Sequence, residues 1–328
     1  MQTPGLKNNG IMLTRAGKKL FRLFAVMMAV TSITFVMVDF LPGNVAYEIV
    51  GQAASAEDIE AIEKELGLGR PLIIRYGSWL AHVATGDLGK SFRTHEPVWD
   101  AILSRLPVTI ELMVLSQVIA LAAAIPLGIL CAYKSRTIID SWLSAIAFGM
   151  MSIPVFVMGI VLIYIFAIKL RWLPATGYIP LSDGIWENLK SFVLPSLSIA
   201  LIEWVTFMRV LRSDMIATLQ EDFILMAKAK GLPAIHILFN HALRPSSLTL
   251  ITILGIHMGH LIGGALIVEI IFALPGIGRL LIDAIFSRDT AMVQGCILFI
   301  SIAYVSINFM VDGLYAILDP RIRKTGNL

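Results

Sequence analysis

Five runs of this 328-residue chain contain no Asp, Glu, Lys or Arg: 23–38, 112–133, 141–168, 245–268 and 290–311. Four of them exceed the roughly 18 apolar residues that mark a transmembrane helix. The first, 23–38, reaches spanning length once Asp39, Phe40 and Leu41 are added at its end. A sixth candidate, 192–211, is apolar except for Glu203 and Arg209, and Trp204 and Phe207 beside the acid suit a membrane helix. The sequence therefore predicts an all-α integral membrane protein with six spans. Composition agrees: 57% of the residues are hydrophobic, 15% are charged and the mean hydropathy is +0.80, whereas soluble domains carry about 25% charged residues. Such a chain can neither clothe a soluble core in polar side chains nor remain disordered. A net charge of +3, with no basic run interleaved with aromatics, argues against nucleic acid as a partner. Cys131 and Cys296 both lie in apolar stretches, so neither a disulfide framework nor a cysteine metal site is expected.

An even number of spans puts both termini on one side. Lys7, Arg15, Lys18, Lys19 and Arg22 precede the first span, and Arg321, Arg323 and Lys324 follow the last. The excess of positive charge in cytoplasmic segments places both ends in the cytoplasm. Lys134 and Arg136 in the short turn after the second span agree, as do Arg212, Lys228, Lys230 and Arg244 between the fourth and fifth. The basic start and apolar run of 15–41 also fit a signal peptide, but the run is long for one and Leu41-Pro42-Gly43-Asn44 is a poor cleavage site, so a retained helix is expected. Met12 is a second plausible start.

The organisation that follows is a cytoplasmic tail over 1–19, a first helix over 20–41, an extracytoplasmic cap over 42–105, a five-helix core over 106–318 and a second cytoplasmic tail over 319–328. Within the cap, Ser55-Ala56-Glu57-Asp58 with Ile59, Ile62 and Leu66 reads as a capped amphipathic helix ending at Gly67 and Gly69. A second cap helix is expected from Pro71 to Val83. The following stretch, Ala84-Thr85-Gly86-Asp87-Leu88-Gly89-Lys90-Ser91, has the relaxed pattern of a phosphate loop. That motif needs a strand before it and a helix after it. Here a helix precedes and Pro97 follows soon, so its glycines are read as turn residues.

The cytoplasmic stretch 213–247 is too long for a turn and too patterned for a linker. Glu221 and Asp222 stand where a helix begins, and Lys228 and Lys230 where it ends, as the helix dipole favours. Phe223, Met226, Ala227 and Lys230 fall on one face. Gly231 suits a left-handed cap, and Pro233 suits the first turn of a second helix with Ile235, Leu238, Phe239 and Ala242 on one face. Such a pair either packs beneath its own bundle or offers a short helix to a groove on a partner; the pattern alone allows both.

Glu221-Asp222-Phe223-Ile224-Leu225-Met226-Ala227-Lys228-Ala229-Lys230-Gly231-Leu232, followed by His241-Ala242-Leu243-Arg244, resembles the ATPase-coupling loop of binding-protein-dependent ABC transporter permeases of the dipeptide, oligopeptide and nickel family. The resemblance extends through Leu41-Pro42-Gly43, Glu65-Leu66-Gly67-Leu68, Gly86-Asp87-Leu88-Gly89, Glu269-Ile270-Ile271-Phe272, Leu274-Pro275-Gly276-Ile277-Gly278-Arg279, Leu281-Ile282-Asp283-Ala284, Val293-Gln294-Gly295 and Asp319-Pro320-Arg321-Ile322-Arg323, nearly the whole chain from about residue 12. It implies a type I-like importer permease in the cytoplasmic (inner) membrane. It also implies a second homologous permease, two separate ATPases carrying ATP and Mg, an external solute-binding protein, and no cofactor held by this chain. Glu221, Asp222, Ala227, Lys228, Ala229, Lys230, Gly231, Leu232, His241 and Arg244 are the coupling residues that the resemblance assigns. Leu225, Met226 and Ala227 stand where the wider superfamily carries Glu-Ala-Ala. Peptide-family members usually have a basic residue at the first of these positions, so the resemblance does not carry over one polar contact to the ATPase at Leu225.

Other residues are candidates for helix packing or the translocation path. Gly255, Gly259 and Gly263 recur every four residues, a face that lets another helix come close. His257 and His260 lie on the same helix, where a hydrogen-bonding role inside the bundle is preferred to a metal site because no carboxylate or thiol is in view. Glu203 is the acid expected deepest in a span, as either a proton-coupling group or the partner of a base on a neighbouring helix. The broken segment 272–289 is expected to form a re-entrant or interfacial helix on the outside.

Peptide import is the expected function. Nickel import, and a self-sufficient proton-coupled carrier using Glu203, are the alternatives. No enzymatic constellation is apparent.

Overall fold

The computed structural model describes residues 24–37 and 69–318, together with Phe21, Ser55, Glu57 and Lys64. The two tails, most of the expected helix near 55–66, the end of the first span beyond residue 37 and the motifs at 41–43, 65–68 and 319–323 lie outside the described residues. Among the described residues the fold is helical, with one isolated antiparallel bridge between Lys90 and Pro97. The chain falls into two compact units, Met1–Ser104 with Leu280–Val305, and Arg105–Arg279 with Ser306–Leu328.

In the first unit, α1 (Phe24–Met37) is apolar, and α2 (Leu72–Ala84) follows Pro71 as the sequence indicated. Polar side chains in an apolar setting need partners, and here Ser32 donates to the Tyr76 hydroxyl at 2.9 Å while Thr31 lies 2.9 Å from the same oxygen. Phe35 meets the Tyr76 ring edge-on at 5.3 Å. After α2 the chain turns through Gly86 and Gly89, at φ +84° and +82°, without the strand and helix that a phosphate loop requires. Ser91 instead donates its hydroxyl to the Asp289 carboxylate, which also caps α12 (Thr290–Leu318) by accepting from Met292 N at 3.2 Å.

The second unit holds most of the remaining helices. α3 (Val98–Tyr133) continues into it and is followed by α4 (Ile138–Met151). α5 (Val155–Leu162) runs on as a π-helix over Ile163–Lys169, and α6 is Ile185–Thr218. Then come α7 (Asp222–Ala229), α8 (Ala234–His236), a π-helix over Ile237–Ala242, α9 (Leu243–Gly264) and α10 (Leu266–Ile271). The amphipathic α11 (Ile277–Phe286) falls within the stretch expected to be re-entrant or interfacial.

Four helices, Val98–Tyr133, Ile185–Thr218, Ala234–Gly264 and Thr290–Val311, are long and apolar enough to cross a membrane, and α4 with α5 makes a fifth if that pair is one span. The first expected span coincides with α1, whose described length is shorter.

Three expectations are corrected. The run 141–168 is not one straight helix: α4 and α5 meet at a bend of 97°. Pro154 has no N–H to give to the ladder and holds Ile153 out of the helical region, a break that absence of charge does not register. The spans read as 112–133 and 192–211 are parts of much longer helices. α3 has 36 residues, about 54 Å at about 1.5 Å per residue against a hydrocarbon core of about 30 Å. The second helix expected after Gly231 is not separate either, because it runs into the fifth expected span as one helix, Ala234–Gly264.

The core of this unit is a cluster at one end of the bundle. It joins Cys131 and Ala132 of α3, Leu211 and Met215 of α6, Ile224 and Ala227 of α7, and Ile237, Leu238 and Ala242 before α9. α3 and α6 come close at Gly128, where a side chain would press on the Met208 carbonyl and Leu211.

Candidate functional site

α7 is short and built to stop. Glu221 precedes it in extended geometry, Asp222 sits in its first turn and Lys228 in its last, matching the helix dipole. Gly231 takes φ +74°. Its N–H donates to Lys228 O at 2.9 Å, and Leu232 N–H donates to Ala227 O at 3.3 Å. These two bonds form a Schellman cap, which needs a residue able to adopt the left-handed region at the glycine position. Pro233 then starts the next helix at φ −66°.

The faces differ from the sequence expectation. Ile224 and Ala227 are buried, whereas Phe223, Leu225 and Met226 are about half-exposed, at 46%, 54% and 60%. Ala229, Lys230 and Arg244 are also exposed, and Leu232 is half-buried. In the following turn Ile237, Leu238 and Ala242 are buried while Ile235 and Phe239 are exposed. The expected face of Ile235, Leu238, Phe239 and Ala242 is lost because the π-helix over Ile237–Ala242 widens the repeat. Pro245, which has no N–H to give to the carbonyl of residue 241, stands three residues beyond this π-turn. His241 lies half-buried in that turn, with its ring 5.4 Å from His236. The result is a short helix anchored by two side chains, with three apolar side chains turned outward.

Deeper in the bundle, Glu203 of α6 receives a hydrogen bond from Gln117 of α3 and lies 3.2 Å from His257 Nδ1 of α9. His257 also packs edge-on against Phe207 at 5.1 Å. Three helices thus contribute to one polar cluster, and the partner of Glu203 is a histidine that the sequence had singled out separately. Gln117 was not singled out; its only signal was an amide inside an uncharged run. His260 is exposed. Gly255 and Gly259 are buried and Gly263 is exposed, so the four-residue repeat is used over two of its three positions. A methyl added at Gly255 would collide with Val311 of α12.

Two further arrangements escaped the sequence reading. Glu269 of α10 is fully buried: Thr109 donates to Oε1 at 2.8 Å, and Arg279 N–H donates to Oε2 at 2.9 Å. Thr109 in turn accepts from Ile277 N–H at 2.9 Å. The carboxylate therefore holds the amino end of α11; a side chain at Gly276 would strike it, and one at Gly278 would strike Leu266 and crowd it. The spacing from Glu269 to Pro275-Gly276-Ile277-Gly278 was its signal. Asp140, at the start of α4, grips Arg212 of α6 in a fork, Nε to Oδ1 and Nη2 to Oδ2, both 2.7 Å. Arg212 had been read as a mark of orientation and as too far along its helix to be an ideal partner for Glu203.

Residues 124–324 match the family described as binding-protein-dependent transport system inner membrane component, and residues 12–113 match its N-terminal companion. A putative peptide transport system permease protein of Brucella abortus is 39% identical over 306 residues, 93% of this chain and 98% of that protein. A dipeptide transport system permease protein of Alkalihalophilus pseudofirmus is 35% identical over 95% of this chain and 100% of its own length. A glutathione transport system permease protein of Escherichia coli is 34% identical over 95% of this chain and 99% of its own. With an all-helical fold of membrane-spanning length and matches over nearly its whole length, the chain belongs to the family of binding-protein-dependent transport system inner membrane components.

Proposed function

We propose that this chain is one of two permease subunits of an ATP-driven importer of peptides, with both termini in the cytoplasm and α7 seated in a cleft of a separate ATPase. The observation that carries the reading is the form of α7. Ile224 and Ala227 tie it to the bundle, Gly231 stops it, and Phe223, Leu225 and Met226 face outward on the side where basic residues are concentrated. Water-exposed apolar side chains on a rigid helix are what a partner groove takes up. The peptide assignment draws on the relatives named above, which carry peptide, dipeptide and glutathione transport in their names. The external cap, over 42–105, is the surface offered to a solute-binding protein. The chain acts by opening and closing a path, and hydrolysis of ATP belongs to its partners.

The test is Gly231→Pro in the complete transporter reconstituted with its binding protein. Proline cannot take the φ of +74° found at Gly231, so stimulation of ATP hydrolysis by the binding protein is expected to fall about tenfold or more. Unchanged stimulation would remove α7 from the coupling role.

A further inference from the structure

The fork between Asp140 and Arg212 joins α4 and α6 at one end of a seam that also holds a cavity. Asp140 is only 4% exposed, its Oδ2 also accepts from Arg136 N–H at 3.0 Å, and the Cys131 thiol bonds the same side chain, so the carboxylate is held by the turn before α4, by α3 and by the guanidinium of α6. Beyond the fork, a cavity of about 590 Å³ opens between α4 and α6, lined by Ser144, Phe148, Thr206 and Arg209 among others. Arg209 lies over the Phe148 ring at 4.7 Å. α4 gives Ala147 to the core cluster, with Leu143 and Met150 at its edge. At its far end it meets the 97° bend before α5.

α7 is differently placed. Through Ile224 and Ala227 it shares that cluster with the ends of α3 and α6, and Thr218 at the end of α6 lies 3.0 Å from Ser246 of α9, hydroxyl to hydroxyl. A push on α7 is therefore shared at once by α3, α6 and α9. For α4 the charged, bidentate connection is the fork, beside the weaker contacts of Arg209 with Phe148 and Met151 and of Cys131 of α3 with Asp140 itself. Apolar contacts permit sliding, whereas a bidentate guanidinium–carboxylate pair fixes distance and orientation together.

We propose that Asp140 and Arg212 are positioning residues of transport: their fork makes α4 follow α6 and α7, so that movement imposed at 222–231 reaches the bend at Ser152–Pro154. The proposal rests on the reading of 222–231 as the ATPase contact. It assigns the cavity a role as free space into which the seam closes or opens, while the fork end stays fixed.

The experiment uses the complete transporter in proteoliposomes with its binding protein and a peptide. Asp140→Asn keeps the shape and removes the charge. ATP hydrolysis stimulated by the binding protein is expected to stay near the parent value while peptide uptake per ATP falls about fivefold. The exchange of Asp140→Arg with Arg212→Asp is expected to restore uptake per ATP. Spin labels at the exposed positions Trp142 of α4 and Ala217 of α6 give a second readout: their separation stays constant through the ATP cycle in the parent and changes in Asp140→Asn. Parent-like uptake per ATP with a constant separation would overturn the proposal. So would a joint loss of stimulation and uptake that the exchange does not rescue, since that is the mark of a merely structural pair. Normal coupling in Gly231→Pro would instead remove the underlying reading, whatever Asp140→Asn does.

Discussion

At the scale of single residues, the second unit is organised by carboxylates that have been taken out of solvent and given partners. Glu269 shows the physical logic most fully. Its oxygens accept from a hydroxyl and a backbone amide at the start of α11, so removing the side chain leaves buried donors without acceptors. Glu269→Ala is expected to cost about 3 kcal/mol. Glu269→Gln, which keeps one acceptor and the volume, should cost clearly less. Thermal unfolding of the detergent-solubilised protein measures both, and equal melting of the Ala variant and the parent would contradict this account. Glu203 is a different case, because its neighbours are Gln117 and His257 on two other helices. If it serves as an internal tie, Glu203→Gln retains ATP-dependent uptake within about threefold, and collapsing the pH gradient has no effect on the parent. Uptake by this chain alone, driven by that gradient and lost in Glu203→Gln, would support a proton-coupled carrier instead.

At the scale of elements, α7 divides its apolar residues between two duties. Ile224 is buried in the cluster, so Ile224→Ala is expected to destabilise the protein by about 2–4 kcal/mol. Met226 points away from that cluster at 60% exposed, so Met226→Asp should leave the melting temperature nearly unchanged and weaken ATPase binding about tenfold. Binding measured between the purified membrane subunits and the ATPase, alongside melting curves, separates the two effects. An equal loss of stability in both variants would show that the outward side of α7 is structural. The sequence located this helix to within a residue or two through its charges, its glycine and its proline. It misassigned the faces, because eight residues make barely two turns and Phe223, Ile224, Leu225 and Met226 are all apolar. Neighbours from α3, α6 and α9 choose which of them turns inward. The bend between α4 and α5 was missed for a related reason: charge spacing measures preference for lipid and carries no information about direction.

For the whole molecule, the scarcity of charge is a division by location. Membrane helices take the apolar sequence, the few buried acids are each tied to a partner, and the basic residues gather beside the segment proposed to meet the ATPase. The two units share α3, α11 and α12 across their boundaries, so the chain passes between them within helices and not through linkers.

The sequence by itself determined the solvent, the rough position of the apolar segments, the helix-turn at 221–233 with its glycine cap, and the family resemblance. These follow from local chemistry: hydropathy over one helix length, dipole-matched charges and the backbone freedom of a glycine. Only the tertiary structure decided that Glu203 faces His257 and Gln117, that Asp140 grips Arg212, that Glu269 holds the start of α11, and which face of α7 is free. Each of these pairs joins residues of different helices, and their distances are set by packing that no local pattern encodes.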